Sequence, residues 1–226
     1  MKSILVIAAH PDDETLGCGG TMARLAREGK AVHVAFVADG VGSRIPSGLP
    51  DQQALAARRL ATSNACAVLG VQPPRFGDFP DNRLDTVPLL EVVQYIEALI
   101  SDYRPDTILT HHCGDLNVDH QLVHKAVVTA CRPQSGHPVN TLLFFEIPSS
   151  TEWQTPGTGP AFAPNWFVNI TDTLDSKTQA VQCYESELRP WPHPRSVQGI
   201  EHLARWRGAI VGVDAAEAFI LGRYLT

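Results

Sequence analysis

Two kinds of hydrophobic pattern alternate along the chain and predict alternating strands and helices. Short unbroken apolar runs, such as residues 4–9, are typical of parallel strands that are buried on both faces. Longer stretches with apolar residues three or four positions apart, such as residues 87–103, are typical of amphipathic helices. The predicted strands are 4–9, 32–38, 75–79, 107–110, 141–147 and 166–170, and the predicted helices are 14–28, 52–69, 87–103, 118–131, 171–187 and 196–210. This order predicts the α/β class, with a doubly wound, mostly parallel sheet flanked by helices.

Turn and cap residues mark where these elements begin and end. Gly29 follows the first predicted helix as a C-cap, and Thr171 or Asp172 is expected to cap the fifth helix at its start. Residues 148–164 carry many Pro, Gly and Thr and are too long for a simple connection, so they are predicted to form a functional loop or lid. Neither an internal repeat nor a composition change divides the chain, which predicts a single domain over residues 1–226.

The composition is that of an ordinary globular protein, and it excludes several classes of binding partner. The formal net charge of -6 argues against general binding to nucleic acid or to anionic lipid. Since no stretch approaches the ~20 apolar residues of a membrane-spanning helix, no stable membrane insertion is expected. The chain has 5 cysteines and no CxxC pair, which favours a reducing, cytoplasmic location over a disulfide framework. A homo-oligomer is compatible with the sequence.

The sharpest chemical signal follows the first predicted strand, in the segment HPDDE at residues 10–14. In doubly wound sheets, ligands bind in the crevice at the carboxyl ends of the strands. His10 and Asp13 are three residues apart across a turn, so both side chains can reach one metal ion. Imidazole and carboxylate ligands suit zinc, and they also suit ferrous iron. Two ligands do not make a tight site, which predicts a third elsewhere in the chain.

A second polar cluster, HHCGDLNVDH at residues 111–120, follows another predicted strand and can therefore reach the same crevice. We expect His120 to be the third metal ligand. Asp119 is expected to lie behind the ligands, where it would orient an imidazole or hydrogen-bond to nearby backbone.

Two histidines and one aspartate leave an open coordination position for water, whose pKa a bound Zn²⁺ lowers from 15.7 toward about 7. Asp12 adjoins a ligand but is not needed as one. It is therefore predicted to be the general base that takes the proton from this water.

Simpler interpretations exist for several of these residues. The acids of residues 10–14 could merely complement the dipole at a helix N-terminus. His111 and His112 could be ligands, but a role in pocket shape or hydrogen bonding is favoured. The segment GCGG at residues 17–20 fits neither GxGxxG nor the phosphate-binding loop, so close helix packing is its better explanation, and Cys18 is interpreted as a packing residue.

The segments AHPDDE at residues 9–14 and DLNVDH at residues 115–120 together resemble the PIG-L/LmbE-like family of zinc-dependent N-deacetylases. Further similarity is found in ADG at residues 38–40, the Arg- and Ala-rich helix at 58–70, and the segments 193–196 and 207–219. The resemblance implies a Rossmann-like fold and removal of acetyl from an N-acetylated sugar or a related amide. It implies a metal on His10, Asp13 and His120, with Asp12 as the base.

The chain departs from the family pattern at two positions. Asn117 stands where some members carry a histidine that steadies the oxyanion; an Asn amide can donate a hydrogen bond but cannot serve as an acid. The proton for the leaving amine is therefore expected from Asp12 after it has taken one, or from His193, which lies between two prolines. Asn117 or His193 is expected to donate a hydrogen bond to the oxyanion. Ala61 replaces a glutamate that relatives often carry in the Arg-rich helix. Asp39 and Arg44 are predicted to contact the substrate.

The sequence therefore predicts a hydrolase that removes acetyl from an N-acetylglucosamine-type sugar or sugar conjugate, with Zn²⁺ as the cofactor and Fe²⁺ as the alternative metal. A hydrolase of another small-molecule amide, such as an antibiotic or a thiol conjugate, is the second prediction. A non-catalytic metal- or sugar-binding protein is the third, and the intact Asp12 argues against it.

Overall fold

The computed structural model describes residues 1–43 and 51–226. The strands are β1 (Ser3–Ala8), β2 (Ala31–Ala38), β3 (Arg75–Phe79), β4 (Thr107–His111), β5 (Thr141–Phe145), β6 (Trp166–Asn169) and β7 (Ala216–Tyr224). The helices are α1 (Asp13–Arg27), α2 (Gln52–Leu69), α3 (Leu89–Tyr103), α4 (Val118–Ala130), α5 (Leu174–Gln182) and α6 (Val197–Val211).

These strands form one sheet in the order β3-β2-β1-β4-β5-β7-β6. The first five strands of that order run parallel to one another, and β7 is antiparallel to both β5 and β6. The strand order reverses between β1 and β4, so the sheet has the switch point of a Rossmann-like, doubly wound fold. The predicted fold class is confirmed.

Strand β7 is the one strand of the described sheet that the sequence pattern did not predict. Its first four residues, Ala216–Phe219, are all buried but include the polar Glu217, so the start of the strand shows neither an unbroken apolar run nor a regular alternation. It also contains Gly222, which the packing requires: a Cβ there would lie 2.4 Å from the ring of Phe144.

The fifth helix is shorter than the predicted range of 171–187. A 3₁₀ turn occupies Thr171–Thr173, and α5 covers only Leu174–Gln182. Just beyond α5, the buried Tyr184 donates its hydroxyl proton to Oε1 of Glu14 at 2.7 Å. This contact holds the chain against α1 at the point where α5 has just ended.

The predicted N-cap of this helix is also wrong. Neither Thr171 nor Asp172 is the cap; Thr173 occupies that position and its side chain makes no capping hydrogen bond. The Thr171 hydroxyl instead donates to Oδ1 of Asn169 at 2.7 Å, which fixes the turn before the helix.

Helix α1 consists of two halves that meet at Cys18, whose φ of -148° and ψ of 23° are not helical. The carboxylate of Glu217 accepts the amide protons of Gly20 and Thr21, at 2.9 and 2.7 Å, at the start of the second half. Nζ of the buried Lys177 lies 2.5 Å from the same carboxylate. A buried ion pair between α5 and β7 thus stabilises the break in α1.

The small residues around this break allow α1 to approach its neighbours closely. A Cβ at Gly17 would lie 2.5 Å from the ring of Phe145, and one at Gly20 would lie 2.7 Å from Ile170. The side chain of Cys18 is fully buried in the hydrophobic core. The interpretation of residues 17–20 as a packing segment is confirmed.

Within the described ranges, none of the helices combines the length and the apolar character that crossing a membrane requires.

We expect the replacement Glu217→Ala to lower the free energy of unfolding by about 3–5 kcal/mol, because it leaves the ammonium of Lys177 buried without its partner. The measurement is urea unfolding followed by circular dichroism.

The matched control is Glu201→Ala, which removes an exposed i,i+4 pair with Arg205 and should cost no more than about 0.5 kcal/mol. Equal losses in the two variants would contradict the structural role of the buried pair.

Candidate metal centre and active site

The candidate site lies where β1 and β4 end, on either side of the switch point of the sheet. A cavity of about 730 Å³ opens there. Four of the residues predicted from the sequence line it, namely His10, Asp12, Asn117 and His193. Three of the five non-glycine residues with positive φ among the described ranges also line it: Asp12, Asn82 and Ser149. Strained backbone of this kind is concentrated at functional sites.

The His–Asp–His group, meaning His10, Asp13 and His120, is brought together by the turn after β1 and the first turn of α4. Oδ2 of Asp13 lies 3.3 Å from Nδ1 of His10 and 3.3 Å from Nε2 of His120. All three residues are buried, and their ligand atoms all lie within 4.8 Å of one another. The backbone amide of His10 also donates to Oδ2 of Asp13 at 2.8 Å, which fixes the carboxylate relative to the turn.

The donor atoms of this group fit a metal ion. In the described part of the chain, Oδ1 of Asp13 and Nε2 of His120 are buried and have no hydrogen-bond partner. Such atoms are rare without a ligand, because an unsatisfied buried polar atom is costly. Burial alone would lower the pKa of His120, but the carboxylates of Asp13 and Asp115 raise it to about 9. The environment therefore favours a positive charge at this point.

A second set of potential ligands shares His10 and includes Asp81 and Asp119. Nε2 of His10 lies 3.2 Å from Asp81 and 3.1 Å from Asp119. Both carboxylates are already hydrogen-bonded: Asp119 accepts the amides of Asn82 and Leu84, and Asp81 accepts the Asn82 side-chain amide. They are therefore better suited to orienting His10 than to holding an ion. Asp119 thus lies behind His10, as expected from the sequence.

Asp115 supports the opposite ligand, His120. Its Oδ1 lies 3.0 Å from Nδ1 of His120, and it also accepts protons from the hydroxyls of Ser150 and Thr151. Burial alone would raise the pKa of Asp115, but His120 and these hydroxyls lower it to about 2. The loop at 148–164 is thus connected through Asp115 to the ligand candidate His120. Its role as a functional loop or lid stays a prediction.

Asp12 lies next to the His–Asp–His group with its side chain at the cavity. Its φ of 124° is unusual for a residue other than glycine. Burial raises the pKa of Asp12 to about 6, against the opposing charges of Arg195 and Arg58. Nη1 of Arg195 donates to Oδ2 of Asp12 at 3.1 Å, and Nε of Arg195 donates to the hydroxyl of Ser149 at 2.7 Å. Arg195 thus holds one oxygen of the carboxylate.

Asn117 caps α4 and also lines the cavity. Its Oδ1 accepts the amide proton of Asp119 at 2.8 Å, and its Nδ2 donates to Oδ1 of Asn82 at 3.0 Å. Because a side-chain amide carries two protons, the second remains available to a bound molecule.

His193 lines the cavity, in a turn that follows the cis peptide bond Trp191-Pro192. Its Nδ1 accepts the backbone amide proton of Arg195 at 3.0 Å. The neutral ring therefore carries its proton on Nε2 and can donate it. Trp153 makes an edge-to-face contact with this ring, at 5.5 Å between the centroids.

The two residues predicted to contact the substrate have different outcomes. Asp39 is buried, and its Oδ1 accepts the amides of Val41 and Gly42 at 2.8 and 3.2 Å, so it organises the turn that presents Val41 to the cavity. A direct contact between Asp39 and substrate stays a prediction. Arg44 lies outside the described residues.

His111 does not have a free lone pair for a metal at Nε2, because that atom accepts the amide proton of Ala9 at 2.8 Å. Its ring stacks on His120 at 4.0 Å between centroids. His112 has Nε2 at 2.9 Å from the carbonyl oxygen of Pro160. These contacts agree with the expected roles in pocket shape and hydrogen bonding.

Sequence reasoning did not assign roles to Arg195, Asp115 or Asp81. Asp115 and Arg195 lie within segments that resemble the family, so the motifs contained a signal for both. Asp81 follows β3 in a loop with no pattern of its own, and only the pairing of β3 beside β2 brings it to His10.

Comparison with known proteins agrees with this geometry. The sequence model of a family described as "PIG-L: GlcNAc-PI de-N-acetylase" matches residues 5–131, which is more than half of the chain. The chain belongs to the PIG-L family. The match includes the whole His–Asp–His group and Asp12.

Individual proteins are similar to this chain over most of their length. The uncharacterized deacetylase YaiS of Escherichia coli K12 is 30% identical over 176 residues, covering 76% of this chain and 83% of that protein. The diacetylchitobiose deacetylase of Thermococcus kodakarensis is 30% identical over 202 residues, covering 83% and 71%. The crystal structure of the conserved protein TT1542 from Thermus thermophilus has a TM-score of 0.77 and 28% identity, covering 100% and 97%.

Proposed function

We propose that this PIG-L family member is a metal-dependent deacetylase that removes the acetyl group from an N-acetylglucosamine-type sugar or sugar conjugate. The observation that carries the proposal is the convergence of three buried ligand candidates, one of which, His10, lines the cavity together with a further carboxylate, Asp12. Relatives that are deacetylases by name support the reaction class.

We propose His10, Asp13 and His120 as the metal ligands and zinc as the metal, with ferrous iron as the alternative. A divalent metal held there would act as a Lewis acid toward the acetyl carbonyl and a water molecule. Asp119 and Asp115 would orient the two imidazoles through the contacts described above.

Asp12 would accept a proton from the water that adds to the acetyl carbon. Because Arg195 holds Oδ2 of Asp12, the other oxygen is the one left for the water. As the carbon–nitrogen bond breaks, the proton passes from Asp12 to the leaving nitrogen, giving the amine and acetic acid. The acid then gives up its proton to the amine, so the products in solution are the protonated amine and acetate. His193, through Nε2, and Asn117, through its second amide proton, would donate hydrogen bonds to the developing oxyanion.

The test is acetate release from a panel of N-acetylated sugars that are free, nucleotide-linked or lipid-linked, with and without a chelator. Chelator-sensitive release from a member of this panel is the expected result. A metal-loaded protein that releases no acetate from any of them would contradict the sugar substrate and favour another amide or a binding role.

Two variants separate the proposed base from a proposed ligand. Asp12→Asn should retain the metal, as measured by mass spectrometry of bound metals, but lose about 10²–10⁴-fold in turnover. His120→Ala should lose both metal and turnover. His124→Ala, one helical turn further along α4, is the control and should keep the metal. An unchanged rate in Asp12→Asn would remove Asp12 from the role of base.

The contribution of His193 can be measured against a matched histidine. His193→Ala should lower kcat by about 10²–10³-fold, the loss that is typical when an oxyanion donor is removed. His202→Ala is the control, because His202 also contacts a tryptophan edge-to-face, Trp191 at 5.2 Å, but does not line the cavity. If the two variants had the same kcat, His193 would have no part in the chemical step.

A further inference from the structure

The backbone of Asp12, the proposed base, has an unfavourable conformation. Its φ is 124° and its ψ is -29°, whereas residues other than glycine rarely adopt a positive φ. Such strain persists only where surrounding contacts fix the backbone. Asp12 also occupies the N-cap position of α1, but its side chain makes no capping hydrogen bond and pairs with Arg195 instead. The contacts that fix this backbone therefore decide where the carboxylate of the base lies.

The peptide group between Pro11 and Asp12 is held at both of its polar atoms. The carbonyl oxygen of Pro11 accepts a proton from Nη1 of Arg58 at 3.0 Å. The amide of Asp12 donates to Oε2 of Glu14 at 3.0 Å. A rotation of this peptide group would relieve the positive φ of Asp12 only by breaking both hydrogen bonds. The two partners thus keep Asp12 in its strained conformation.

Glu14 is itself held in one orientation. Its side chain is fully buried, and its Oε1 accepts the hydroxyl proton of Tyr184 at 2.7 Å while Oε2 accepts the amide proton of Asp12. Tyr184 is also buried. Because one carboxylate oxygen is engaged by the tyrosine, the other is directed at the amide of Asp12.

The segment that contains Tyr184 also supports the other end of this peptide group. Glu187 lies in the 3₁₀ turn Glu185–Glu187 and pairs with Arg58, the residue that donates to the carbonyl oxygen of Pro11. Tyr184 and Glu187 are three residues apart in the chain. One short segment therefore braces both hydrogen bonds that hold the peptide group.

Glu14 does not reach the reacting groups directly. It does not belong to the described lining of the cavity, and neither of the candidate ligand sets in the described ranges includes it. It can therefore act on the reaction through the backbone of Asp12. A contribution to helix stability alone is the simpler role, since Glu14 lies in the first turn of α1, but that role would leave kcat unchanged.

We infer that Glu14 is a positioning residue: its carboxylate holds the backbone of Asp12 so that the carboxylate of the base lies at the cavity wall. The inference rests on the proposed function and adds to it a residue that the mechanism above does not use. A displacement of about 1 Å can cost roughly 10²-fold in rate, so the loss of this hydrogen bond has a measurable effect on turnover.

Two replacements of similar size separate the hydrogen bond from the volume of the side chain. Glu14→Gln keeps an acceptor for the amide of Asp12, whereas Glu14→Leu does not. On the panel sugar that the wild type hydrolyses fastest, kcat should fall about 10²-fold in Glu14→Leu and less than about 5-fold in Glu14→Gln. KM and metal content should stay near the wild-type values in both. Equal kcat in the two variants, or loss of metal from Glu14→Leu, would overturn the inference.

A milder pair of variants tests the same support if Glu14→Leu does not fold. Tyr184→Phe removes the hydroxyl that orients Glu14, and kcat should fall by about 3-fold or more. Tyr95→Phe is the matched control, because its hydroxyl donates to the carbonyl oxygen of Phe36 at 3.2 Å and Tyr95 is not in the described cavity lining. Its kcat should equal that of the wild type. The same kcat in both tyrosine variants would contradict a positioning role.

Amide exchange measured by NMR gives a readout that does not depend on turnover. The amide proton of Asp12 should exchange about 10-fold or more faster in Glu14→Leu than in the wild type, and near the wild-type rate in Glu14→Gln, because only Glu14→Leu lacks the acceptor. This difference, without acetate release by the wild type, would overturn the deacetylase proposal and leave the hold of Glu14 on Asp12 intact. Acetate release together with equal exchange in the two variants would overturn the inference and leave the proposed function intact.

Discussion

The carboxylate of Asp13 is the point on which the site depends, because it joins two segments that come from opposite sides of the switch point. Its Oδ2 receives the amide of His10 and lies against the rings of both His10 and His120. Burial alone would raise the pKa of Asp13, but the adjacent histidines hold it well below its usual range. A buried charge of this kind is stable only if cationic partners remain in place. The turn after β1 and the start of α4 are therefore held together by the requirement to neutralise Asp13.

Around this carboxylate, each candidate ligand has its own support. His10 is held by Asp119 and Asp81, and His120 by Asp115. These supports extend into the cavity wall, because Asp115 binds the loop at 148–164 while Arg195 connects the same loop, through Ser149, to Asp12. This one loop thus contacts both Asp115, the partner of a ligand candidate, and Arg195, the partner of the base candidate. A molecule that bound to this loop would therefore contact a segment that is linked both to His120 and to Asp12.

The parts of the fold and the site that depend on local pattern could be predicted from the sequence, and the parts that depend on distant pairing could not. His10 and Asp13 are three residues apart, and His120 follows a buried strand, so their meeting follows from parallel strands that end at one edge. Strand β7 lacked a pattern because the polar Glu217, which pairs with Lys177, interrupts its buried first residues. Asp81 could not be assigned because its contact with His10 spans many residues of sequence and its loop has no pattern of its own. The segment of Arg195 did carry a family signal, but its pairing with the distant Asp12 became visible only in the structure. The predicted cap of the fifth helix was wrong because the hydroxyl of Thr171 donates to Asn169, which lies outside the helix.

The ligand and base candidates and the residues that form the rest of the cavity wall come from different parts of the chain. The family match at residues 5–131 contains the ligand candidates and Asp12, whereas Ser149, Trp153, Glu185, His193 and Arg195 all follow it. The parallel half of the sheet therefore carries the ligand candidates and the base candidate, and the segments around β6, α5 and α6 carry much of the wall that a substrate meets, including the proposed oxyanion donor His193. Since these later segments are joined to the candidates through Asp115 and Arg195, their outer residues can change without moving the ligand candidates. A common deacetylation site with different substrates is the expected consequence of this arrangement.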